Sequence, residues 1–325
     1  MANVSFPRSE IEKHIKLTPE AIEKMQMMGI PAELSDDALS IEVLVSRPDL
    51  ISMQGFLRAY NAYYGKDFGL KKYSIKPSGF KIIVDKSVDK VRPYCMAAIV
   101  KGLNLDENKI KEIMQWQEKI HATVGRNRKK IAIGYYMLDK IKFPVYYTAK
   151  APKDIIFEPL DMPEKMDATK ILQRHPTGRE YAYQLEGFDK FPVYYDSNKE
   201  VLSLPPIINS NNSGKIIPGT KDVLIEASGT DLSILKRIIT MAVADLLDIG
   251  GKAFSIDISY STKVERIDFA LETMKLCLEN VNKAIGLELK EKDLESLLPK
   301  MGTNTSLEKS QYLHIGLIFF MRLIL

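Results

Sequence analysis

Apolar, β-branched and aromatic runs recur through the middle of the chain at 80–85, 94–102, 130–138, 143–149, 191–197, 200–204, 222–228 and 254–260. Two strong helical patterns, 106–124 and 231–248, fall between them. Strand and helix signals interleaved in this way, with a hairpin turn at Asp196-Ser197-Asn198-Lys199, predict an α+β fold built on a mixed sheet. The string FPVYY occurs at 143 and again at 191, which is too short a match to argue an internal repeat.

Two smaller regions flank this 80–260 domain. Residues 1–75 read as a small α/β module. Ser9 and Glu12 stand at capping-box spacing, and Thr18-Pro19 sets a cap with proline at the first helical position. Ala21, Ile22, Met25 and Met28 mark one face of the following helix, and Gly29 closes it. SIEVLVS (40–46) reads as a strand, and 47–65 as a helix stopped at Gly65. The lysine- and turn-rich stretch 69–79 is a plausible linker. From 265 the pattern turns helical, with two helical segments around Gly286, and 265–302 reads as the start of a further helical domain. The 303–325 tail is atypical: YLHIGLIFFMRLIL is apolar but carries Arg322 and is shorter than the roughly 20 residues a bilayer span needs. It is expected to be a core or partner-facing segment, with no membrane involvement.

Composition narrows the class only slightly. Hydrophobic residues at 45% and charged residues at 27% are ordinary for globular protein. A net charge of +4 permits a phosphate-rich partner without requiring one. Cys95 and Cys277 lack metal-ligand spacing, and the histidines (His14, His121, His175, His314) are scattered, so no metal site is expected. Without a disulfide framework or a signal-peptide pattern, a reducing cytoplasm fits.

Four constellations carry polar chemistry into apolar surroundings. In SLPPIINSNNSGK (203–215), Pro205-Pro206 delivers an apolar, donor-poor segment into a cluster of amides and hydroxyls headed by Asn209. On the helix 106–124, Gln117 and His121 share the stripe of Ile110, Ile113, Met114, Ile120 and Val124. A glutamine facing a core costs about 1–3 kcal/mol unless hydrogen-bonded, so the pair is either structurally satisfied or lines a polar pocket. GRNRKK (125–130) places Arg126, Arg128 and Lys129 between a helix end and a strand, as a solvated turn or a phosphate contact. In DVLIEASGTD (222–231), Glu226 and Ser228 share one face of an apolar strand. Glu226 is there either as an edge glutamate in water or as a binder of an ammonium group.

Taken in order, these motifs resemble a known family. SRPDLISMQGFLRAY (46–60) is similar to a segment near the amino terminus of the β subunit of phenylalanyl-tRNA synthetase. QEKIHATVGRNRKKIAIG, YDSNKEVLSLPPIIN and TKDVLIEASGTD resemble successive motifs of that subunit's archaeal and eukaryotic-type editing domain. NKAIGLELKEKDLESLLPKMG resembles the start of the helical, winged-helix-like domain that follows it. The resemblance runs from about residue 8 to 302 and its style is archaeal.

The resemblance implies a β subunit that pairs with a catalytic α subunit as α2β2 and acts on tRNA(Phe). ATP and Mg2+ would serve ligation in the complete synthetase, and no cofactor would serve editing. It implies hydrolysis of tyrosine mistakenly attached to tRNA(Phe), with Gln117, Asn209, Glu226 and Ser228 in the working site. His121, Pro205 and Pro206 would wall the pocket, Glu226 would hold the α-ammonium, and Arg126, Arg128 and Lys129 would meet the tRNA. Ser228 stands where the family often has threonine. With no Ser-His-Asp arrangement, a positioned water is the expected nucleophile. The alternative is the same fold kept as a tRNA-binding scaffold without hydrolysis. The tail after MGTNTS departs from the family pattern, which puts assembly with an α subunit in question for this chain alone.

Overall fold

A computed structural model describes residues 2–44, 46–64, 67–270, 272–308 and 312–317. It divides into two compact units, one of Ser74–Asp268 and the other of the chain up to Tyr73 together with the chain from Phe269 onward.

The larger unit is built on a ten-stranded mixed sheet. From one edge the order is Ile208–Asn209, Val201–Leu204, Phe191–Tyr195, Val145–Lys150, Ile75–Val84, Lys252–Ser259, Tyr94–Lys101, Val223–Gly229 and Ile131–Met137, with Val264–Glu265 pairing off Lys252–Ser259. Ile75–Val84 runs parallel to both of its neighbours, and every other pair in the sheet is antiparallel. The α+β reading with a mixed sheet therefore holds. The strand beginning at Ile75 takes up the second half of the expected linker.

The two FPVYY strings are partners. Tyr194 faces Tyr147 and Tyr195 faces Tyr146 across an antiparallel pair, their rings stacked at 4.3 and 5.2 Å. Cross-strand aromatic pairs of this kind stabilise the pairing of the two strands. The long helix Leu232–Asp248 packs on Tyr94–Lys101 and Val223–Gly229, burying Leu235, Ile238, Ile239 and Ala242. Val223–Gly229 is consequently buried along its whole length. A strand covered on both faces should be a continuous apolar run, and Glu226 and Ser228 are the exceptions within it.

In the other unit, Ala2–Pro7, Ala38–Val43 and Ala32–Leu34 form a three-stranded antiparallel sheet with helices Pro19–Met27 and Met53–Tyr63. Thr18 caps the first helix as expected, accepting from the Ala21 N–H at 3.3 Å, and Gly29 follows it at φ 73°. The Ser9–Glu12 capping box does not form: the short helix Arg8–Ile11 starts from Pro7 with no side-chain cap. The expected helix over 47–65 is a 3-10 turn, Pro48–Ile51, followed by Met53–Tyr63, and Gly65 lies outside the described residues.

The segment after 265 departs from the helical expectation in its first part. Glu272–Cys277 is a strand, pairing with Tyr312–Leu317, which pairs in turn with Asn304–Glu308. The two helices expected around Gly286 do form, at Leu278–Ile285, closed by Gly286 at φ 70°, and at Glu291–Leu297, which runs on into a 3-10 turn at Leu298–Met301. From Phe269 onward the chain clusters by its contacts with the amino-terminal module. Strand pairing with a distant segment overrides local helical periodicity here, a competition no sequence window contains. The tail beyond Leu317, including Arg322, lies outside the described residues. Among the described residues no helix is long and apolar enough to cross a membrane.

Candidate functional site

The site forms where the helix Glu107–Ala122 lies along the edge strand Ile131–Met137. An edge strand presents alternate backbone groups to nothing, and they must be covered. Gln117 and His121, one helical turn apart, do this at a single residue. The Gln117 Nε2 donates to the Ile133 carbonyl at 3.1 Å, and the Ile133 N–H donates to His121 Nε2 at 2.9 Å. Their place on the apolar stripe is thus explained by strand capping. Because Nε2 accepts, the imidazole hydrogen sits on Nδ1, which faces a Glu118 carboxylate oxygen at 3.5 Å. Burial holds the His121 pKa below its ordinary value. The Gln117 Oε1 is buried without a hydrogen-bond partner.

Opposite the helix, Val201–Leu204 and Ile208–Asn209 form a hairpin in which Ser203 faces Asn209 and Leu204 faces Ile208. The double proline is its turn: Leu204 C=O accepts from the Ile207 N–H at 2.8 Å, and the Pro205–Pro206 peptide is cis. No ladder donor is needed at those two positions, so prolines fit a strand-like sequence here. The loop after Asn209 folds tightly back, and a Cβ at Gly214 would lie 2.3 Å from that of Asn209.

Arg128 joins turn and helix. Its guanidinium donates to the Ile207 carbonyl at 2.9 Å and to Glu118 at 3.2 Å, and lies 4.3 Å from the centre of the Tyr181 ring. It is therefore engaged within the pocket wall. Arg126, Asn127 and Arg128 are consecutive left-handed residues at φ 49°, 53° and 66°. Such a conformation costs roughly 1–2 kcal/mol per residue and needs external support. Arg92 supplies it: the buried guanidinium donates to the carbonyls of Arg128 and Lys129 at 3.1 and 3.2 Å. The same group donates to the Ser228 hydroxyl and carbonyl at 2.9 and 2.7 Å.

Glu226 faces the hairpin. Directly across the strand pair from it is Gly134, and a Cβ there would come within 2.6 Å of the Tyr136 hydroxyl. The missing side chain lets the Tyr136 ring fold over its own strand, placing its hydroxyl 2.9 Å from Glu226 Oε1 and 3.1 Å from Asn209 Oδ1. Burial pushes the Glu226 carboxyl up to about 7, against the opposing pull of the Tyr136 and Tyr194 hydroxyls and the Arg92 charge. The Tyr194 hydroxyl and Glu226 Oε2 remain outside hydrogen-bond geometry, and both are buried without a partner, as is the Ser203 hydroxyl.

Between these walls is a cavity of about 230 Å³. It brings together Gln117, His121, Arg128, Pro205, Pro206, Asn209 and Glu226 of the residues expected from sequence. It does not include Ser228, whose hydroxyl is taken by Arg92, nor Arg126 and Lys129, whose side chains are exposed on the supporting turn. Met114, expected in the buried stripe, is 37% exposed at the cavity rim. Sequence reasoning missed Tyr136, Arg92 and His175, the last of which lines the cavity with Nε2 2.9 Å from the Leu160 carbonyl. A glycine two residues before a tyrosine in a strand was the only local signal for Tyr136, and Arg92 carried none.

With the geometry in place, the relatives are informative. No protein-family profile matches the chain. It is 35% identical over 320 residues to a phenylalanine–tRNA ligase β subunit of Archaeoglobus fulgidus, covering 98% of this chain and 58% of that one. It is 38% identical over 257 residues to the β subunit of Pyrococcus horikoshii, covering 79% and 46%. The crystal structure of an amino-terminal fragment of the Pyrococcus horikoshii phenylalanyl-tRNA synthetase β subunit superposes with a TM-score of 0.93 at 30% identity, covering 99% of this chain and 96% of the fragment. The chain belongs to the phenylalanine–tRNA ligase β-subunit family. It spans about half the length of these curated β subunits, and the cavity lies within the larger of its two units.

Proposed function

We propose that the cavity hydrolyses tyrosine mistakenly esterified to tRNA(Phe), in a β subunit that supports phenylalanylation together with an α subunit. The observation that carries this is a small cavity lined by three residues with buried, unpartnered oxygens, Gln117 Oε1, Ser203 Oγ and Glu226 Oε2, beside the Asn209 amide. Buried polar atoms of that kind are costly unless a ligand meets them. At about 230 Å³ the space is below the roughly 300–1,000 Å³ of drug-sized sites, which suits one amino-acid moiety.

In this reading ionised Glu226 takes the α-ammonium, and the cation's charge favours the ionised form on binding. Asn209 and Gln117 provide polar contacts, the kind of group by which a site selects a hydroxylated side chain over its apolar counterpart. A water held by the polar wall attacks the ester carbonyl. The bond from that carbon to the ribose oxygen breaks, and the water's proton leaves on the ribose hydroxyl. ATP and Mg2+ would be used by the α subunit. Among the described residues no group of three or more His, Cys, Asp and Glu is arranged to hold a metal ion. The basic turn with exposed Arg126 and Lys129 would meet the tRNA, and the reaction belongs in the cytoplasm.

A second reading, a tRNA-docking scaffold without hydrolysis, draws support from the structural use of Gln117 and His121 at Ile133. One assay separates the two. tRNA(Phe) charged with tyrosine or phenylalanine is mixed with the purified chain, alone and with a cognate α subunit. The proposal expects tyrosine-selective deacylation that Glu226→Ala abolishes while the far-ultraviolet circular dichroism is retained. Binding of the tRNA with no acceleration of either ester, in both mixtures, would leave the scaffold.

A further inference from the structure

The Tyr136 hydroxyl carries one proton and stands within hydrogen-bond distance of two oxygens, Glu226 Oε1 at 2.9 Å and Asn209 Oδ1 at 3.1 Å. It cannot donate to both at once. When Glu226 is ionised, the phenol donates to the carboxylate. Asn209 must then turn its amide, giving an N–H to the phenol oxygen and directing Oδ1 elsewhere. When Glu226 is protonated, the acid donates to the phenol, the phenol donates to Asn209 Oδ1, and the amide hydrogens are left free. In each arrangement the protons on Tyr136 and Glu226 have an acceptor, and the two differ in what Asn209 offers the cavity.

We propose that Tyr136 is a positioning residue that couples the proton on Glu226 to the face Asn209 presents, so that the cavity offers a carboxylate together with an amide oxygen, or a neutral acid together with amide hydrogens. The first state takes a ligand combining an ammonium group with a hydroxyl donor, and the second rejects it. The Tyr136 ring is fully buried and laid over Gly134, so it has no room to swing away from this task. The inference rests on the reading of the cavity as an amino-acid ester site and names the ligand chemistry for it.

The other groups facing Glu226 are Arg92, Cys95, Tyr147 and Tyr194. Burial raises the pKa of the thiol and of both phenols, and Arg92 stays bound to Ser228 and to backbone carbonyls. From the facing wall the cavity receives Glu118, His121, Arg128, Asp161 and His175. Reading the transition at Glu226 itself, with Glu226→Gln to assign the resonance, separates it from these.

The test is a pH titration of the full chain by nuclear magnetic resonance, following the Glu226 side-chain carboxyl carbon and the Asn209 side-chain amide nitrogen. In the unaltered chain both should move with one shared midpoint. In Tyr136→Phe the carboxyl midpoint should rise by about one pH unit, the size of one lost hydrogen bond to a charged group, and the Asn209 resonance should stop following it. An Asn209 resonance that ignores Glu226 in the unaltered chain overturns the proposal, as does one that still follows it in the variant. If Tyr136→Phe fails to fold, the unaltered chain alone decides. No tRNA is present, so this titration can fail while tyrosine-selective deacylation succeeds, and the reverse.

Discussion

Replacing Glu226 by glutamine keeps the shape of the side chain and a partner for Tyr136 while removing the titrating proton. In the folded chain burial raises this carboxyl from 4.5 to about 7. The native state therefore holds the proton more tightly than the unfolded chain does. The stability contributed is fully present below about pH 4.5 and is lost as the pH rises through 7. At 1.36 kcal/mol per pH unit, the interval from 4.5 to about 7 corresponds to about 3 kcal/mol. The difference in unfolding free energy, unaltered chain minus Glu226→Gln, should thus be flat at acid pH, fall by about that amount toward neutrality, and level off above it. Trp116 is the single tryptophan, 3% exposed and on the helix that walls the cavity, so its fluorescence during urea unfolding reports on the right unit. Parallel curves for the two proteins across the whole range would refute the reasoning. They would mean that Arg92 and the tyrosine hydroxyls compensate the buried charge fully.

Arg92→Met leaves the Ser228 hydroxyl and several carbonyls without their donor, at about 1–3 kcal/mol for each buried group orphaned. A loss of several kcal/mol in urea unfolding and faster proteolysis in the 126–129 turn are expected. Gln117→Leu removes the partner of the Ile133 carbonyl and should cost about 1–3 kcal/mol, again read by urea unfolding at Trp116. Arg126, exposed at φ 49°, should tolerate glycine with no loss, or a gain of up to about 1 kcal/mol, whereas Arg126→Val should destabilise. Thermal melts of the two variants give the comparison, and a better-folded valine variant would contradict it.

Much of this protein was legible in its sequence because the relevant signals are local. Strand runs and the two long helices of the larger unit follow from apolar periodicity and turn residues, and Thr18-Pro19 marks its cap through neighbouring atoms. Asn209 and Glu226 stood out because polar groups in apolar runs need a reason. Other features depended on partners far along the chain. Glu272–Cys277 carries a helical pattern yet pairs as a strand with Tyr312–Leu317. Gln117 has the same local sequence whether it serves a pocket or caps an edge strand, and only the position of Ile133 shows that its amide nitrogen does the latter. Ser228 shares a strand face with Glu226, but Arg92, 136 residues away in sequence, takes its hydroxyl. The sequence by itself determined which segments become strands and helices and which polar residues are out of place. The tertiary structure decided which of those residues face one another, because hydrogen bonds and buried charges are settled by neighbours within a few ångströms, wherever in the chain they originate.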